Sequence, residues 1–552
     1  MKKYLASLML AVSLVWLAPS AARPIAAQSA PEPSIVISLA PLNKQLKDIS
    51  YLIETSGMGF AAPMFRMQAE QFLKGLDRER PHGVFLYFDR GNPEPKALAF
   101  FAVSDLSALL DNLAMFGADI DEGEVTTIVA PNGVDLFVRQ SGGFAFVTDK
   151  RELLNELPSA PLAELGDLPS QYNLAAKVLV QRIPQDLRDM VIGMIEDSYA
   201  EQLDMMGNDF LADIQGQNID YQMNQLKSLI HESKEATLGF SIDQTERRLY
   251  ADMQMIGLDG SVLAKQSQGY ADAPRSQFNG FLMDGATMTM VASARLQGDD
   301  VSQIAEMLSG FRNAAINQLE EESNLPPNQT ALVKRVVGEL FDVLDQTIRE
   351  GVMDLGGAIL MDDDSANFAL GVHVVNPARV ERAIKDVVSE FGRDLGQVAD
   401  VRLDVGTHAG VNLHQIVVPI DEYSELHEFV GDQAKILLGF GNGAVYLAAG
   451  SDPERMLKSA LDASAASSGD PSTPVQFNLY MGPLMKKIGQ AQGEPMVEQL
   501  SNKLLENRRD RIRVTINPMA NGFNYRFEMQ DGILELIGVA AQAFGMGGGP
   551  DF

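Results

Sequence analysis

Cysteine is absent from this chain of 552 residues, so disulfide bonds and thiolate chemistry are excluded. Tryptophan occurs once, at Trp16, inside an N-terminal apolar segment. The rest of the chain therefore lacks the aromatic platform that most often stacks against sugars. This scarcity disfavours carbohydrate chemistry without excluding it.

Basic residues are also scarce, since 44 Lys and Arg stand against 74 Asp and Glu, a formal charge of −30. Nucleic acid is excluded as a partner, because its phosphates require a basic face. Adsorption to anionic lipid headgroups is disfavoured for the same reason. No segment after the N-terminus supplies about 18 consecutive apolar residues, so no transmembrane helix is expected.

The N-terminus has the pattern of a secretory signal peptide. Lys2 and Lys3 precede an apolar run, and small residues end the segment at Ala22 and Ala27. We predict a signal peptide over 1–27 with cleavage after either alanine, and a linker over 28–33. Export without cysteine suits the periplasm or exterior of a bacterium.

The mature chain has an internal repeat that predicts two similar domains. The stretch from Gly133 to Val180 returns near the C-terminus, where Gly443 corresponds to Gly143 and Asn478 to Asn173. Apolar and polar side chains alternate strictly over 523–530, which indicates antiparallel strands with one wet face.

We therefore predict an α+β fold of two tandem, internally duplicated domains. Each is a mainly antiparallel sheet with helices packed on one face. The predicted segments are a first repeat over 34–265, a linker over 266–283, a second repeat over 284–545, and a disordered tail over 546–552.

The segment PSIVISLAPLNKQLKDISYL, residues 33–52, and its echo in the second half resemble large exported proteins of unknown function from planctomycete-like bacteria. The likeness covers most of the mature chain. It implies export, and it implies no activity.

Motifs of known catalytic sites are absent from the sequence. There is no GxSxG, SxxK or HExxH pattern, and nothing selects one carboxylate pair among the many acids. His408 and His414 are six residues apart, which would place them on one face of one strand, with His427 in a following loop. Solvated or locally bonded histidines are the favoured interpretation. We predict no catalytic residue and no cofactor.

A run of three aspartates is the candidate metal site. Asp362, Asp363 and Asp364 resemble the start of a calcium loop, but the glycine and glutamate of an EF-hand do not follow at the required spacing. The aspartates also fall at the tip of a predicted hairpin. A solvated turn is therefore the favoured alternative.

Methionine is abundant, with 26 residues, and it concentrates in a helical stretch from Pro184 to Ser233. Methionine offers soft apolar surface for variable partners, although it also fills irregular gaps between helices and a sheet, and gap filling is the favoured interpretation. The candidate ligand-binding residues are Met190, Met194, Met205, Met206, Phe210 and Met223.

The function that these observations favour is that of an exported, non-enzymatic binding or scaffold protein in the bacterial envelope. The alternatives are a carrier of an apolar, lipid-like ligand in a Met/Leu-lined cavity, and a hydrolase that uses carboxylates. The partner is an unknown protein or apolar ligand. A monomer and a homodimer both remain open.

Overall fold

The structure is a computed structural model that describes most of the chain after the N-terminal segment. The described residues are 32–130, 133–206, 223, 226–322, 326–362, 365–396, 398–421, 427–467, 473–493 and 495–543. The predicted signal peptide, residues 28–31 of the first linker and the C-terminal tail lie outside these residues.

The chain divides into two compact units. The first unit comprises residues 1–258 together with 530–552, and the second comprises 259–529. The C-terminal helix is thus part of the first unit, although the sequence predicts it as the end of the second repeat.

The described strands are β1 Ile35–Leu39, β2 His82–Tyr87, β3 Lys96–Ala102, β4 Asp119–Asp121, β5 Thr126–Val129, β6 Asp135–Ser141, β7 Phe144–Thr148, β8 Leu174–Val178, β9 Ser233–Asp243, β10 Arg248–Gly257, β11 Met288–Arg295, β12 Val352–Met361, β13 Ala366–His373, β14 Asp400–His408, β15 Val411–Pro419, β16 Gln433–Gly441, β17 Ala444–Gly450, β18 Val475–Tyr480, β19 Arg511–Met519 and β20 Gly522–Gln530.

The helices precede, link and follow these strands. The helices whose bounds the structure describes are α1 Leu42–Ile53, α2 Ala61–Phe72, α3 Leu106–Met115, α4 Pro161–Leu165, α5 Leu168–Gln171, α6 Gln185–Met206, α7 Val262–Ala271, α8 Gly298–Glu322, α9 Pro327–Glu350, α10 Pro377–Leu395, α11 His427–Val430, α12 Pro453–Ala466, α13 Met481–Gln492, α14 Pro495–Asn507 and α15 Gly532–Ala543. A π-helix, Glu54–Met58, joins α1 to α2, and 3₁₀ turns lie at Arg151–Leu154, Val180–Arg182 and Asn279–Phe281.

Each unit contains a sheet of ten strands, and all the described pairings within it are antiparallel. The order in the first unit is β4-β5-β6-β7-β3-β2-β1-β8-β9-β10. The order in the second is β14-β15-β16-β17-β13-β12-β11-β18-β19-β20. The predicted α+β class with mainly antiparallel sheets is confirmed, and the two units share one strand order.

Backbone hydrogen bonds identify equivalent positions in the two units. The amide of Val103 donates to Gly143 O at 3.1 Å, and that of Val374 donates to Gly443 O at 2.8 Å. The sequence correspondence of Gly143 with Gly443 is therefore correct. Duplication remains a prediction, because a shared strand order does not by itself show common descent.

The predicted correspondence of Asn173 with Asn478 is wrong by four residues. The Ala40 amide donates to Asn173 O at 3.0 Å, and the Ser293 amide donates to Pro474 O at 2.7 Å, so Pro474 is the equivalent of Asn173. Two similar tetrapeptides suggested the wrong alignment. The correct alignment, of Asn173 with Pro474, follows from the strand register, which the sequence pattern does not specify.

In the first unit, both faces of the sheet carry apolar clusters. Phe100 and Phe146 lie on one face, in a core that also contains Leu165 of α4 and Leu168 of α5. Ala145, the neighbour of Phe146, points to the opposite face, in a cluster with Leu110 of α3. Helix α3 therefore covers the β5–β7 end of that opposite face.

The core of the second unit includes part of the segment that was predicted as a linker. Phe278 and Phe281 are fully buried, and Phe278 packs edge-on against Tyr446 with ring centroids 5.8 Å apart. Residues 266–271 belong to helix α7. The polar, Gly- and Pro-containing composition of 266–283 suggested a linker, but its two phenylalanines anchor it to the sheet.

Helix α15 packs very closely against the π-helix in the first unit. A Cβ atom added to Gly538 would lie 1.7 Å from the carbonyl oxygen of Ser56. Beside this contact, Asp531 is fully buried and accepts hydrogen bonds from Tyr51 and from Arg247 Nε, the latter at 3.1 Å. These contacts hold the C-terminal helix against the α1–α2 arm.

We expect Gly538→Ala to destabilise the protein by about 1–3 kcal/mol, because the backbone carbonyl at Ser56 must move. The free energy of unfolding in urea measures this loss. Gly193→Ala in α6 is the control, since no atom lies within 4 Å of its added Cβ. Helix propensity should make that variant more stable by up to about 1 kcal/mol. Equal stabilities of the two variants would contradict the close contact.

Candidate functional site

A polar cleft of about 550 Å³ lies beside helix α1 in the first unit. Its walls come from α1, from the α5 turn and from the β9–β10 hairpin. The lining residues are Asn43, Lys44, Lys47, Asp48, Ser170, Gln171, Ser241, Ile242, Asp243, Gln244, Thr245 and Tyr250.

The buried carboxylate of Asp48 organises the floor of the cleft. Only 4% of the residue is exposed. It accepts hydrogen bonds from Lys44 Nζ at 2.8 Å, from Asn173 Nδ2 at 2.7 Å and from Gln244 Nε2 at 2.6 Å. Lys44 lies one helical turn before Asp48, so α1 supplies both charges of a compensated ion pair.

Asn173 connects that ion pair to the sheet. Its Oδ1 accepts a hydrogen bond from Lys44 Nζ at 2.6 Å and another from the Ile242 amide at 3.0 Å. The backbone amide of Asn173, the residue just before β8, donates to Phe240 O at 2.8 Å. Backbone and side-chain bonds together fix the position of this asparagine.

The chemistry of the cleft suits hydrogen bonding better than acid–base catalysis. The Asp48 carboxylate is already paired with the Lys44 ammonium and accepts hydrogen bonds from two side-chain amides. It therefore lacks the exposed, unpaired character of a general base. The second unit has Pro474 in place of Asn173, and proline has no side-chain donor. The network is therefore a feature of the first unit.

An exposed apolar patch lies on the opposite face of the same strands. Phe240 and Ser241 are neighbours on β9, so their side chains point to opposite faces. Leu174 pairs with Phe240, and Leu238 pairs with Met253, which places all four side chains on three adjacent strands. Their exposed fractions are 46% for Leu174, 60% for Leu238, 37% for Phe240 and 44% for Met253.

In the second unit, Glu381, Asp404 and His414 approach one another closely enough to suggest a metal site. Their ligand atoms lie within 4.8 Å of one another, and His414 is buried. Asp404 lies in an irregular stretch of β14 with a φ of 53°, which brings it toward β15. The sequence did not predict this group, because its members are on α10, β14 and β15.

Hydrogen bonds already satisfy this group without an ion. Lys385 Nζ lies 2.9 Å from Glu381 and 2.8 Å from Asp404, where it supplies the positive charge. His414 Nδ1 accepts from the Asp404 amide at 2.8 Å, so in the neutral ring Nε2 carries the proton and faces Glu381 at 3.2 Å. We therefore assign the group as a hydrogen-bonded ion-pair network built around Lys385.

The predicted methionine site is only partly described. Met190 and Met194 are 42% and 57% exposed on α6, so these two do not fill a gap in the core. Met223 is half-buried. The predicted residues whose side chains the structure does not describe are Met205 and Met206, which are helical, and Phe210, which lies outside the described residues.

The aspartate run is also described only at its first residue. The Asp362 amide, just after β12, donates to Ser365 O, just before β13, at 2.8 Å. Asp363 and Asp364 lie outside the described residues. The calcium site stays a prediction, and Asp362 occupies the hairpin tip that the sequence indicated.

Two histidines make local contacts with carboxylates, as the favoured interpretation expected. His408 Nε2 lies 2.8 Å from Asp462, and His427 Nε2 lies 3.0 Å from Asp432. The expectation that His408 and His414 share a strand is wrong, since a turn at Ala409 and Gly410 separates β14 from β15.

Comparison with known protein families, with curated proteins and with solved structures finds no match to this chain. The resemblance to planctomycete-like exported proteins therefore stays a prediction. Among the described residues, no helix is both long and apolar enough to cross a membrane.

We expect Asn173→Ala to cost about 3 kcal/mol, because it leaves Asp48 and the Ile242 amide short of a buried hydrogen-bond partner. Chemical denaturation measures the loss. Asn43→Ala, at the exposed rim, is the control and should change stability by less than about 0.5 kcal/mol. A loss of the same size in both variants would show that the buried network has no special role.

The network around Lys385 should make the free energy of unfolding depend on pH in the acidic range. Burial raises the pKa of Glu381, but hydrogen bonds from Lys385 and Asn412 outweigh it, so the pKa lies below its ordinary value. A carboxylate with a depressed pKa stabilises the fold above its unfolded pKa, and this stabilisation is lost as the pH falls through the folded pKa.

Lys385→Met should therefore lower stability near pH 6 and make the further loss on acidification smaller than in the wild type. The urea midpoint, measured from pH 6 down through the range below the unfolded pKa of Glu381, gives both quantities. Lys265→Met, an exposed position on α7, is the control and should follow the wild-type profile. Identical profiles for the two variants would refute the assignment.

Proposed function

We propose that the protein is an exported, non-enzymatic binding protein of the bacterial envelope that holds an apolar partner on the open face of its first sheet. The observation that carries the proposal is the patch of Leu174, Leu238, Phe240 and Met253 on three adjacent strands. Contiguous exposed apolar surface on a folded protein marks an interaction site more often than chance exposure.

The patch differs from ordinary surface in its arrangement. Single exposed apolar side chains are common and need no explanation, but cross-strand neighbours form one continuous surface. The polar side chains of the same strands point away from it, as Ser241 does, toward the hydrogen-bonded floor of the cleft. A rigid sheet thus presents the apolar side chains at little cost in conformational entropy.

Export is the second element of the proposal, and the pattern of residues 1–27 supports it. The partner is then a molecule of the envelope.

An apolar-ligand carrier is the second candidate, because the same patch would accept an acyl chain as readily as a polypeptide. The exposed Met190 and Met194 do not line a closed cavity, so a carrier would hold its ligand on an open face.

A photo-crosslinking amino acid at position 238 distinguishes the two candidates. Irradiated in the producing cell, this variant should label one discrete species through the patch. A labelled protein of defined mass supports the binding protein, and labelled lipid supports the carrier. The matched control carries the same group at Val129, which is 37% exposed on β5 of the same sheet. Labelling that is equal at both positions, or absent at 238, would refute the proposal.

A further inference from the structure

Three side chains at the floor of the polar cleft contact one another in a closed triangle. Lys44 Nζ lies 2.6 Å from Asn173 Oδ1 and 2.8 Å from Asp48 Oδ2. The same Asp48 oxygen lies 2.7 Å from Asn173 Nδ2. A primary amine, a carboxamide and a carboxylate are therefore held together, which are the groups needed to form an amide bond between two side chains.

The amine of Lys44 is within reach of the carbonyl carbon of Asn173. A C=O bond is about 1.2 Å long, so Nζ lies no more than about 3.8 Å from Cγ. Groups react efficiently when they are held roughly 3–3.5 Å apart, and rotation of the lysine side chain supplies the remaining approach. The orientation of the carboxamide is fixed, because the Ile242 backbone N–H can only donate, and it donates to Oδ1 at 3.0 Å.

Asp48 is placed to carry protons between the two nitrogens. Its Oδ2 accepts hydrogen bonds from both Lys44 Nζ and Asn173 Nδ2, while Gln244 holds its Oδ1 at 2.6 Å. Asp48 and Asn173 are only 4% and 2% exposed, and burial favours the neutral amine and acid over separate charges. The same pairing that makes Asp48 unsuited to a substrate from solvent suits a reaction between its own two partners.

Two further donors face the oxygen on which negative charge develops when an amine attacks Cγ. The Ile242 amide donates to Asn173 Oδ1 at 3.0 Å, and the Ser241 hydroxyl donates to it at 3.3 Å. Both residues lie on β9, whose pairing with β8 fixes them relative to Asn173. Donors that are positioned before a reaction stabilise an oxyanion without reorganisation.

We propose that Lys44 and Asn173 form an intramolecular isopeptide bond, with Asp48 as the catalytic acid and base. Asp48 takes a proton from the Lys44 ammonium, and the electron pair that is freed on Nζ attacks Cγ of Asn173. The Nζ–Cγ bond forms and the Cγ–Nδ2 bond breaks, as Asp48 gives its proton to Nδ2 and takes a second proton from Nζ. The released ammonia takes this second proton and leaves through the cleft as ammonium, so Asp48 ends as a carboxylate.

The bond would tie α1 covalently to the sheet of the first unit. It joins positions that are 129 residues apart, and a cross-link over such a loop restricts the unfolded chain. Exported proteins often gain this restriction from disulfides, which a chain without cysteine cannot form. The second unit has Pro474 in place of Asn173, so it has no carboxamide at this position. The inference is independent of the apolar patch and its partner.

Peptide mass spectrometry of the purified protein tests the proposal. Trypsin does not cut after a lysine in amide linkage, so segment 152–177, which contains Asn173, should be recovered joined to the peptide that contains Lys44. The joined mass should be lower than that of the two separate peptides by one ammonia, about 17 Da. Cyclisation of Gln28, which becomes N-terminal if the signal is cleaved after Ala27, removes the same mass. The joined peptide, and not the intact mass, is therefore the decisive readout.

Two substitutions should abolish the bond. Lys44→Arg keeps a positive charge beside Asp48 but removes the amine nucleophile, and Asp48→Asn keeps the size of the side chain but removes the proton carrier. Both variants should yield segment 152–177 only in its separate form. The control is Lys47→Arg, an exposed lysine on the same helix, which should be linked as completely as the wild type. The wild-type digest decides the proposal even if a variant does not fold.

Recovery of segment 152–177 only in separate form from folded wild-type protein, with trypsin cleaving after Lys44, would overturn the proposal. A bond that forms to the wild-type extent in Asp48→Asn, or a bond to Lys47 instead, would overturn the assigned roles in the same way. A linked wild type whose label at position 238 is absent would keep the isopeptide bond and lose the sheet-patch function.

Discussion

The antiparallel pairing of β1 with β8 is the contact on which the first unit depends. It joins the first described strand to one that follows more than a hundred residues later, and it sets the register of both. Asn173 precedes β8 at the point where the Ala40 amide reaches its carbonyl. That register brings Asn173 against Asp48 on one side of the sheet and turns Leu174 outward on the other. The polar cleft and the apolar patch are thus both consequences of the β1–β8 strand pairing.

The second unit repeats the ladder with different side chains. β11 and β18 pair in the same manner, but Pro474 stands where Asn173 stands in the first unit. Its notable polar group is elsewhere, around Glu381 and Lys385, where a helix meets an irregular strand. The two units thus share one strand order, while their hydrogen-bonding groups differ.

Much of the fold was accessible from the sequence. Apolar runs flank Asp89–Pro93 in the β2–β3 hairpin, and Pro326 and Pro327 lie between α8 and the body of α9. These features depend on local periodicity and on the backbone restrictions of proline. The segment 266–283 was misjudged, because its composition is that of a linker and only packing shows that Phe278 and Phe281 are core residues. Gap filling was the favoured interpretation of the methionines on α6, but Met190 and Met194 are exposed, and a more continuous apolar surface lies on β8–β10.

The sequence by itself determined the α+β class, the antiparallel strands, the acidity and the absence of thiol chemistry, because these depend on composition and short-range pattern. Tertiary structure alone decided which residues meet. The partners of Asp48 lie 125 and 196 residues away in Asn173 and Gln244, and no local pattern records such distances. Which side of α2 is covered is equally invisible in sequence, since a helix pattern shows which side chains align but not which of them pack against the sheet or a neighbouring helix.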